Sequence, residues 1–473
     1  MRDKPGNSSS LKSLDRRKFL KAAGAAIVLP TILPGSVLGR GGKAPPSRRI
    51  TMATVGWGVQ GPGDCRSFLG NDDCRMVAVC DIDRNHLQAG VDTINQHYGN
   101  SNCAGYFDYR EMLARPDLDA VLIAVPDNWH ALVAIEAARR GLDIYGEKPL
   151  ARTIAEQQAI VKAVKRANII WQTGSWQRSG ATFRKAAEIV RNGLIGEVTR
   201  VEVGLPGGWS DNNAASKELK KKLGAMPGKI TDLSKITPAT TDEWNLAVCA
   251  PPPELDYETW IGPARMEPCI PARLHWNWRW NYNTGGGQLL DWIGHHCDIA
   301  HWGLDFDNSG PSEIEGHGEF PAKDAIFNTS PKYRIELKYP RNIPMVISGG
   351  HDDIRGGIKW IGTEGWVWVD REGFEGSNPE WKKTKNLPEA LRKVKLYESS
   401  NHYRNFLDCV LSRKPTITPV ETAHHSAIPG HLGLISMLTG RKIRWSVKEE
   451  KILDDAEAGK MLARGYRAPW HLA

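Results

Sequence analysis

Three residues in one apolar stretch, Asp291, His295 and Asp298, have the types and the spacing needed for proton chemistry. Three glycines at positions 285–287 precede them, and the spacing i, i+4 and i+7 places all three on one face of a helix. An imidazole titrates near neutral pH and a neighbouring carboxylate can orient it, so this pattern is typical of a general base. A buried Asp–His pair with a purely structural role is the alternative interpretation.

The histidines of this stretch do not indicate a metal site. His295, His296 and His301 lack the spacing of the common zinc motifs, and the stretch contains no glutamate. Adjacent histidines on a helix point about 100° apart and rarely bind the same ion. We therefore expect no metal among these residues.

Length and composition place the chain among ordinary globular proteins. Its 473 residues are enough for two or three domains, and its net charge of +8 comes from scattered lysines and arginines. Because basic residues are not interleaved with aromatic ones, we expect no nucleic-acid binding. The tryptophans crowd into residues 244–302 and 360–381, which suits sugar stacking or core packing. The eight cysteines lie singly and are typical of buried small side chains rather than a disulfide framework.

Residues 1–39 have the pattern of an export signal. The basic run Arg16–Lys18 precedes an apolar, Ala-rich segment that ends at Leu33, and small residues follow near Gly39. The pattern resembles a twin-arginine (Tat) signal, which predicts a periplasmic or secreted protein with the Tat export machinery as a partner. The apolar segment is too short to span a bilayer comfortably, so we expect no stable membrane insertion. Residues 40–49 are predicted to be a linker.

Residues 50–174 alternate strand and helix patterns, which predicts an α/β domain with a doubly wound parallel Rossmann sheet. A strand at Ile50–Gly56 runs into the glycine-rich turn that ends at Gly61, and a second strand ends at Asp81. This order is the dinucleotide-binding fingerprint, in which the acidic residue binds the adenosine ribose. Asp81 favours NAD over NADP because a 2′-phosphate meets like charge there, while the nearby Arg84 leaves NADP open.

Further cofactor contacts are expected where the later strands end, because ligands bind at the carboxyl edge of a parallel sheet. Lys148 is the chemically interesting one, since an oxidised nicotinamide and a partly dry cleft favour its neutral, proton-accepting form. A solvated lysine that merely precedes a proline is the alternative. The predicted cofactor-binding residues are Gly56, Gly58, Val59, Gln60, Gly61, Asp81, Pro126, Asn128, His130, Glu147, Lys148, Gln177 and Arg178.

These motifs together resemble the Gfo/Idh/MocA oxidoreductase family over about residues 50–473. The resemblance rests on the glycine fingerprint with Asp81, on the Glu-Lys-Pro motif at 147–149, and on the stretch from Gly285 to Asp298. It implies that Lys148, Asp291 and His295 form the catalytic group. It also implies a second, α+β domain with an open, mainly antiparallel sheet that carries the substrate site and often mediates oligomers. We therefore expect a homo-oligomer.

The second domain is assigned to residues 175–440, and residues 441–473 are predicted to be a tail that packs on the body. Residues 211–247 are polar and form an insertion relative to typical family members, which leaves the substrate open. For two of the predicted substrate contacts, His275 and Arg279, a packing role is equally favoured. The predicted substrate-binding residues are Trp176, His275, Arg279 and His296.

The sequence thus predicts an NAD(P)-dependent oxidoreductase that acts on a sugar, cyclitol or sugar derivative. We expect His295 to remove the hydroxyl proton, Asp291 to orient His295 or bind a neighbouring hydroxyl, and Lys148 to hydrogen-bond the reacting oxygen. Little free cofactor exists outside the cytoplasm, so an exported enzyme is expected to hold its cofactor tightly. Two alternatives are a glycoside-cleaving enzyme that oxidises its substrate transiently and a non-catalytic sugar-binding protein.

Overall fold

The computed structural model describes residues 49–209, 248, 250–322 and 325–472. The predicted signal peptide, the linker up to residue 48 and the predicted insertion at 211–247 lie outside the described residues. Within the part of the chain that is described, no helix is both long enough and apolar enough to cross a membrane. Six cysteines in that part are free thiols: Cys65, Cys74, Cys80, Cys103, Cys297 and Cys409.

Six parallel strands form the first sheet. They are β1 (Ile50–Val55), β2 (Cys74–Cys80), β3 (Ala104–Tyr106), β4 (Ala120–Ile123), β5 (Asp143–Gly146) and β6 (Trp171–Thr173). Their order is β3-β2-β1-β4-β5-β6, which confirms the predicted doubly wound sheet. The direction of winding reverses between β1 and β4, and a crevice opens beyond the carboxyl ends of the strands at such a point.

Five helices cover the two faces of this sheet, and local sequence signals start several of them. Asp83 accepts hydrogen bonds from the N–H groups of Asn85 and His86 at one helix start, and Thr153 and Glu156 form a reciprocal capping box at another. These helices are α1 (Gly61–Leu69), α2 (Arg84–Tyr98), α3 (Tyr109–Leu113), α4 (Asp127–Arg139) and α5 (Ile154–Ala167).

The second sheet has nine strands. They are β7 (Val198–Leu205), β8 (Glu313–Glu319), β9 (Lys332–Lys338), β10 (Pro344–Gly349), β11 (Gly357–Gly362), β12 (Trp366–Val369), β13 (Phe374–Gly376), β14 (Ile443–Ser446) and β15 (Lys451–Leu453). Their order is β13-β12-β11-β7-β10-β9-β8-β14-β15. The β7–β10 pair is parallel and the other neighbouring pairs are antiparallel, as the family resemblance implied. Two strands of this sheet, β14 and β15, therefore come from the segment that sequence analysis treated as a tail.

The remaining helices pack mostly on one face of the second sheet. They are α6 (Ala181–Arg191), α7 (Tyr257–Ile261), α8 (Gly287–Leu304), α9 (Glu380–Lys383), α10 (His402–Ser412), α11 (Val420–Thr439) and α12 (Ala456–Lys460). Helices α6, α8 and α11 share one apolar core with the sheet. Helix α10 instead packs Phe406 and Leu407 into the core of the first sheet, so the chain returns to the first domain late in its course.

Helix α8 carries Asp291 and His295 and is buried on nearly all sides. It packs against α6, α11 and β7. Asp305, the residue after its last turn, adopts a left-handed conformation with φ 64° that ends the helix. Because its surroundings are close-packed, the side chains that project from α8 toward the first sheet have little freedom to move.

We expect Gly61→Ala to destabilise the protein by about 1–3 kcal/mol, since an added methyl group cannot be accommodated. A Cβ added at Gly61 lies 2.2 Å from the carbonyl oxygen of Gly56, where strand β1 turns into helix α1. Gly63→Ala in the same helical turn is the matched control. No atom lies within 4 Å of its added Cβ, so we expect a gain of about 0.5–1 kcal/mol from helix propensity. Urea unfolding followed by tryptophan fluorescence measures both, and equal effects contradict this packing.

Candidate active site

A cavity of about 340 Å³ lies at the carboxyl ends of β1, β2, β4 and β5. It is lined by residues of the first-sheet region and by residues of the segment 255–279 that precedes α8. The predicted cofactor residues in its walls are Gly56, Gly58, Val59, Gln60, Asp81, Pro126, Glu147 and Lys148. Gly61 lies at the base of the turn, where its lack of a side chain permits the approach to Gly56.

The glycine-rich turn and Asp81 fit a dinucleotide. An added Cβ at Gly58 meets no atom within 4 Å, so the backbone at this point faces open space that a pyrophosphate can approach. The Asp81 carboxylate accepts hydrogen bonds from the N–H groups of Trp57 at 2.6 Å and Asp83 at 2.9 Å. These bonds hold the carboxylate at the cavity wall, where an adenosine ribose is bound in such folds.

A second acidic residue lies near Asp81. Asp83 lines the same end of the cavity, while Arg84 lies outside it with its guanidinium carbon 5.0 Å from the centre of the Phe107 ring. The donor atoms of Asp83, His86 and His275 lie within 4.8 Å of one another and have the chemistry of metal ligands. One oxygen of Asp83 is already engaged by two N–H groups at the start of α2. Asp83, His86 and His275 all line the ribose end of the cavity.

Lys148 brings the first sheet into contact with α8. Its Nζ donates to Asp291 Oδ1 at 2.9 Å and to the Asp291 carbonyl oxygen at 3.1 Å. An added Cβ at Gly294 lies 3.2 Å from Lys148 Cβ, so a glycine at this position permits the close crossing. Arg279 Nε donates to the same Asp291 oxygen at 3.0 Å. Burial by itself raises the pKa of Asp291, but the charges of Lys148 and Arg279 hold it well below its usual range.

His295 lies one helical turn after Asp291 and is only 5% exposed. Burial, then the charges of Lys148 and Arg371, hold the pKa of His295 well below its usual range. The imidazole is therefore neutral at neutral pH and can accept a proton. Sequence analysis allowed Asp291 to orient this ring, but Asp291 is bonded to Lys148 and Arg279. His295 Nδ1 is buried and has no hydrogen-bond partner among the residues that the structure describes.

Asp298, the third residue of the opening pattern, has a structural role. Its carboxylate accepts two hydrogen bonds from Arg178, at 2.7 and 2.9 Å, in a fully buried pair. Asp307 binds the other side of the same guanidinium at 2.7 and 2.8 Å. The expected cofactor contact of Arg178 is therefore corrected, because its donors are used in tying the segment after β6 to α8 and to Asp307.

Three other predicted cofactor residues are buried in ties between segments and lie outside the cavity lining. Asn128 donates to the carbonyl oxygen of Ile261 at 2.9 Å, and the His130 ring is bonded to the carbonyl oxygen of Val125 at 2.9 Å. Gln177 is fully buried, and its amide nitrogen lies 3.1 Å from the carbonyl oxygen of His295. These polar groups satisfy backbone atoms that burial removes from water.

The predicted substrate contacts separate into different places. Arg279 lies at the reaction centre beside Asp291, with its guanidinium stacked 4.3 Å from the Trp276 ring centre. His275 is a correction, because it stacks on His86 with ring centres 4.7 Å apart, at the ribose end of the cavity. His296 is a second correction, because it is buried and its Nδ1 is bonded to the Gly204 carbonyl oxygen of β7 at 2.8 Å. Trp176 is 40% exposed and lies outside the cavity lining, with the Arg371 guanidinium carbon 4.8 Å from its ring centre.

Beneath the glycine-rich turn lies a buried pair of carboxyl groups, Asp64 and Glu147. Tyr403 from α10 donates to Asp64 at 2.8 Å, as does the Gln60 amide at 2.8 Å. Burial raises the pKa of Asp64 to about 6, and burial together with the charge of Asp64 raises that of Glu147 well above its usual range. The pair therefore retains a proton near neutral pH, which Glu147 can donate to Asp64 in a hydrogen bond between the two carboxyl groups.

Two functional candidates escaped sequence analysis. Asp127 is buried beside Asp291 and Arg279, and its position directly after Pro126 at a strand end was an available signal. Arg371 approaches from the turn after β12, and no motif surrounds it in the sequence. Its position follows only from the packing of the second sheet against α8.

Comparison with known families agrees with this geometry. Residues 50–175 match a family described as oxidoreductase family, NAD-binding Rossmann fold, and residues 239–472 match its C-terminal alpha/beta domain. The chain belongs to the Gfo/Idh/MocA oxidoreductase family. The predicted family, fold class and NAD-binding Rossmann domain are thereby confirmed.

A glycosyl hydrolase family 109 protein of Shewanella pealeana is 29% identical over 213 residues, which are 40% of this chain and 45% of the relative. The chain thus spans less than half the length of the curated relatives it matches.

Solved structures share the fold. The WlbA dehydrogenase of Bordetella pertussis, in complex with NADH and UDP-GlcNAcA, is 17% identical with a TM-score of 0.58 over 84% of this chain and 98% of that one. An aldose-aldose oxidoreductase of Caulobacter crescentus, complexed with glycerol, is 18% identical with a TM-score of 0.56 over 84% of this chain and all of that one, 100%. At such identities the likeness is one of fold.

We expect the Asp127 carboxyl to make stability fall as pH rises from about 4 to 7. Burial, then the charge of Asp291, raises its pKa from 3.8 to about 7, so the native state binds the proton more tightly than the unfolded state. Asp127→Asn removes that cost, and we expect it to exceed wild type by up to about 4 kcal/mol at pH 8 and to match it near pH 4. Urea unfolding across pH measures the difference. The exposed Asp72→Asn is the control, and parallel curves for wild type and Asp127→Asn contradict the assignment.

Proposed function

We propose that this family member is an exported, NAD-dependent oxidoreductase that acts on a carbinol group of a sugar, cyclitol or sugar derivative. The observation that carries the proposal is the meeting of Lys148, Asp291 and the neutral His295 beside a groove that fits a dinucleotide. Relatives by fold that are described with a nucleotide sugar acid or as an aldose oxidoreductase support the substrate class.

The chain's own residues have distinct roles in this proposal. A bound nicotinamide supplies the hydride acceptor. His295 takes the hydroxyl proton, because burial and its cationic neighbours keep the ring neutral. Lys148 donates a hydrogen bond to the reacting oxygen, and Asp291 holds the Lys148 ammonium in place at 2.9 Å. Both cations bind Oδ1 of Asp291, so Oδ2 accepts a hydrogen bond from a neighbouring substrate hydroxyl.

Lys148→Ala and His295→Ala should each lower kcat by roughly 10²–10⁴ with the fold intact, since each removes a group that acts on the moving proton. Hydride transfer is read at the nicotinamide absorbance with a panel of sugars and cyclitols. Lys162→Ala and His317→Ala change exposed residues of the same types and should behave as wild type. Turnover close to wild type in either site variant removes that residue from the mechanism.

Tight cofactor binding is supported by the cover segment, residues 250–283, which crosses the cavity. Asp256 N–H donates to the carbonyl oxygen of Ile82 at 3.1 Å, and Arg84 N–H donates to that of Glu254 at 2.9 Å. Trp470, near the chain's end, also lines the cavity. A ligand beneath these contacts leaves only when they open, which slows its release.

We therefore expect the purified protein to retain about one nicotinamide dinucleotide per chain after extended dialysis, with NAD in excess of NADP. Chromatography of the nucleotide released by acid measures both quantities. The double variant Trp260→Ala/Leu255→Ala loosens the cover segment and should lose nucleotide during the same dialysis. Nucleotide-free wild-type protein after mild dialysis contradicts tight binding.

A second candidate function is glycoside cleavage through transient oxidation and elimination. Similarity to glycosyl hydrolase family 109 proteins favours it, over 213 residues of the Shewanella pealeana relative. The same three residues serve both reactions, so the products decide. Release of a chromophore from an aryl glycoside without any electron acceptor supports cleavage, and net formation of reduced cofactor supports the first proposal. Binding of sugars without any hydride exchange supports a non-catalytic role.

A further inference from the structure

Arg371 lies at the rim of the reaction centre, held between two tryptophan rings. Its guanidinium carbon is 4.8 Å from the ring centre of Trp176 and 4.5 Å from that of Trp292. Its Nε lies 3.0 Å from the amide oxygen of Gln177, whose nitrogen contacts the carbonyl oxygen of His295. Stacking and this bond restrict an otherwise flexible side chain, so the charge is positioned before any ligand arrives.

No carboxylate among the described residues forms an ion pair with Arg371. The adjacent Asp370 uses its carboxylate to accept the N–H groups of Glu372 at 2.7 Å and Gly373 at 2.6 Å. By contrast, Arg178 in the same domain is enclosed by two carboxylates. The Arg371 donors that point away from Gln177 are thus left for a ligand.

The charge around the reaction centre is positive overall. Lys148, Arg279 and Arg371 are cations, and Asp291 is the ionised acid that contacts Lys148 and Arg279. Asp127 lies near the same group and stays protonated up to about pH 7, so it adds little negative charge. His295 is neutral. An anionic group on the substrate complements such a site. In a partly dry cleft water screens charges weakly, so the attraction between the cations and the anion is strong.

We propose that the substrate is an anionic sugar whose carboxylate or phosphate is bound by Arg371 next to the carbinol that reacts at His295. The two tryptophans provide flat apolar surface for the C–H face of the sugar, and Trp176 is 40% exposed for that contact. The planar guanidinium matches either oxyanion with two parallel hydrogen bonds. This inference rests on the proposed oxidoreductase function and specifies its substrate class.

The test compares neutral sugars with their charged counterparts: galactose and glucose, galacturonate and glucuronate, and the 6-phosphates. We expect kcat/KM at least tenfold higher for one anionic series, and the series that wins identifies the anion as carboxylate or phosphate. Arg371→Gln should raise KM for that series about 10–100-fold with kcat within about threefold of wild type, and have a much smaller effect on KM for neutral sugars. Arg371→Lys should restore part of the loss, because it keeps the charge without the planar fork.

Arg355→Gln is the matched control, since Arg355 is also exposed and stacked on a tryptophan, Trp368, but pairs with Glu375. It should leave the anion preference intact. Equal kcat/KM for neutral and anionic sugars overturns the inference, as does an equal effect of Arg371→Gln on both.

A second measurement separates this inference from the proposed function. Quenching of tryptophan fluorescence reports sugar binding whether or not hydride moves. Saturable binding of an anionic sugar to wild type, lost in Arg371→Gln, supports the anion site even if no sugar is oxidised, in which case the proposed oxidoreductase function alone fails. Binding that is equally strong in wild type and Arg371→Gln overturns the anion site while turnover still supports the enzyme.

Discussion

One buried carboxylate, that of Asp291, holds the parts of the active site together. It receives Lys148 from the end of the first sheet and Arg279 from the cover segment, at 2.9 and 3.0 Å on a single oxygen. A buried charge without partners costs several kcal/mol, so the Asp291 carboxylate and the two cations depend on each other's opposite charge. The end of β5 is thereby kept in one geometry with the cover segment and α8, which is what removal of a proton from a substrate requires.

The same burial sets different protonation states within a few ångströms. Asp291 stays ionised because two cations contact it, whereas the burial of Asp127 raises its pKa to about 7. His295 is kept neutral by burial and by its cationic neighbours, and Glu147 is kept protonated by burial and by Asp64. Desolvation acts on all of these groups, and it is the neighbouring charges that separate their roles.

Several polar residues that sequence motifs placed at the cofactor instead tie one chain segment to another. Arg178 with Asp298 and Asp307 is the clearest case, a guanidinium enclosed by two carboxylates at the junction of α8 with the segment after β6. Side chains that follow the carboxyl end of a strand can face either the crevice or another packed segment. Their position in the sequence is the same in the two cases, so it does not distinguish them. A buried, fully bonded arginine therefore identifies a structural tie where sequence spacing suggested a ligand contact.

The sequence by itself determined the Rossmann sheet, its glycine-rich turn, Asp81, and the helix that carries Asp291 and His295. These features depend on local spacing and hydrophobic periodicity, which can be recognised in a single sequence. Only the tertiary structure decided that Asp298 pairs with Arg178, that His275 lies at the ribose end, and that Arg371 reaches the rim. Those outcomes depend on which faces of distant elements pack together, and on which buried charges must find partners, and neither is encoded in the spacing of neighbouring residues.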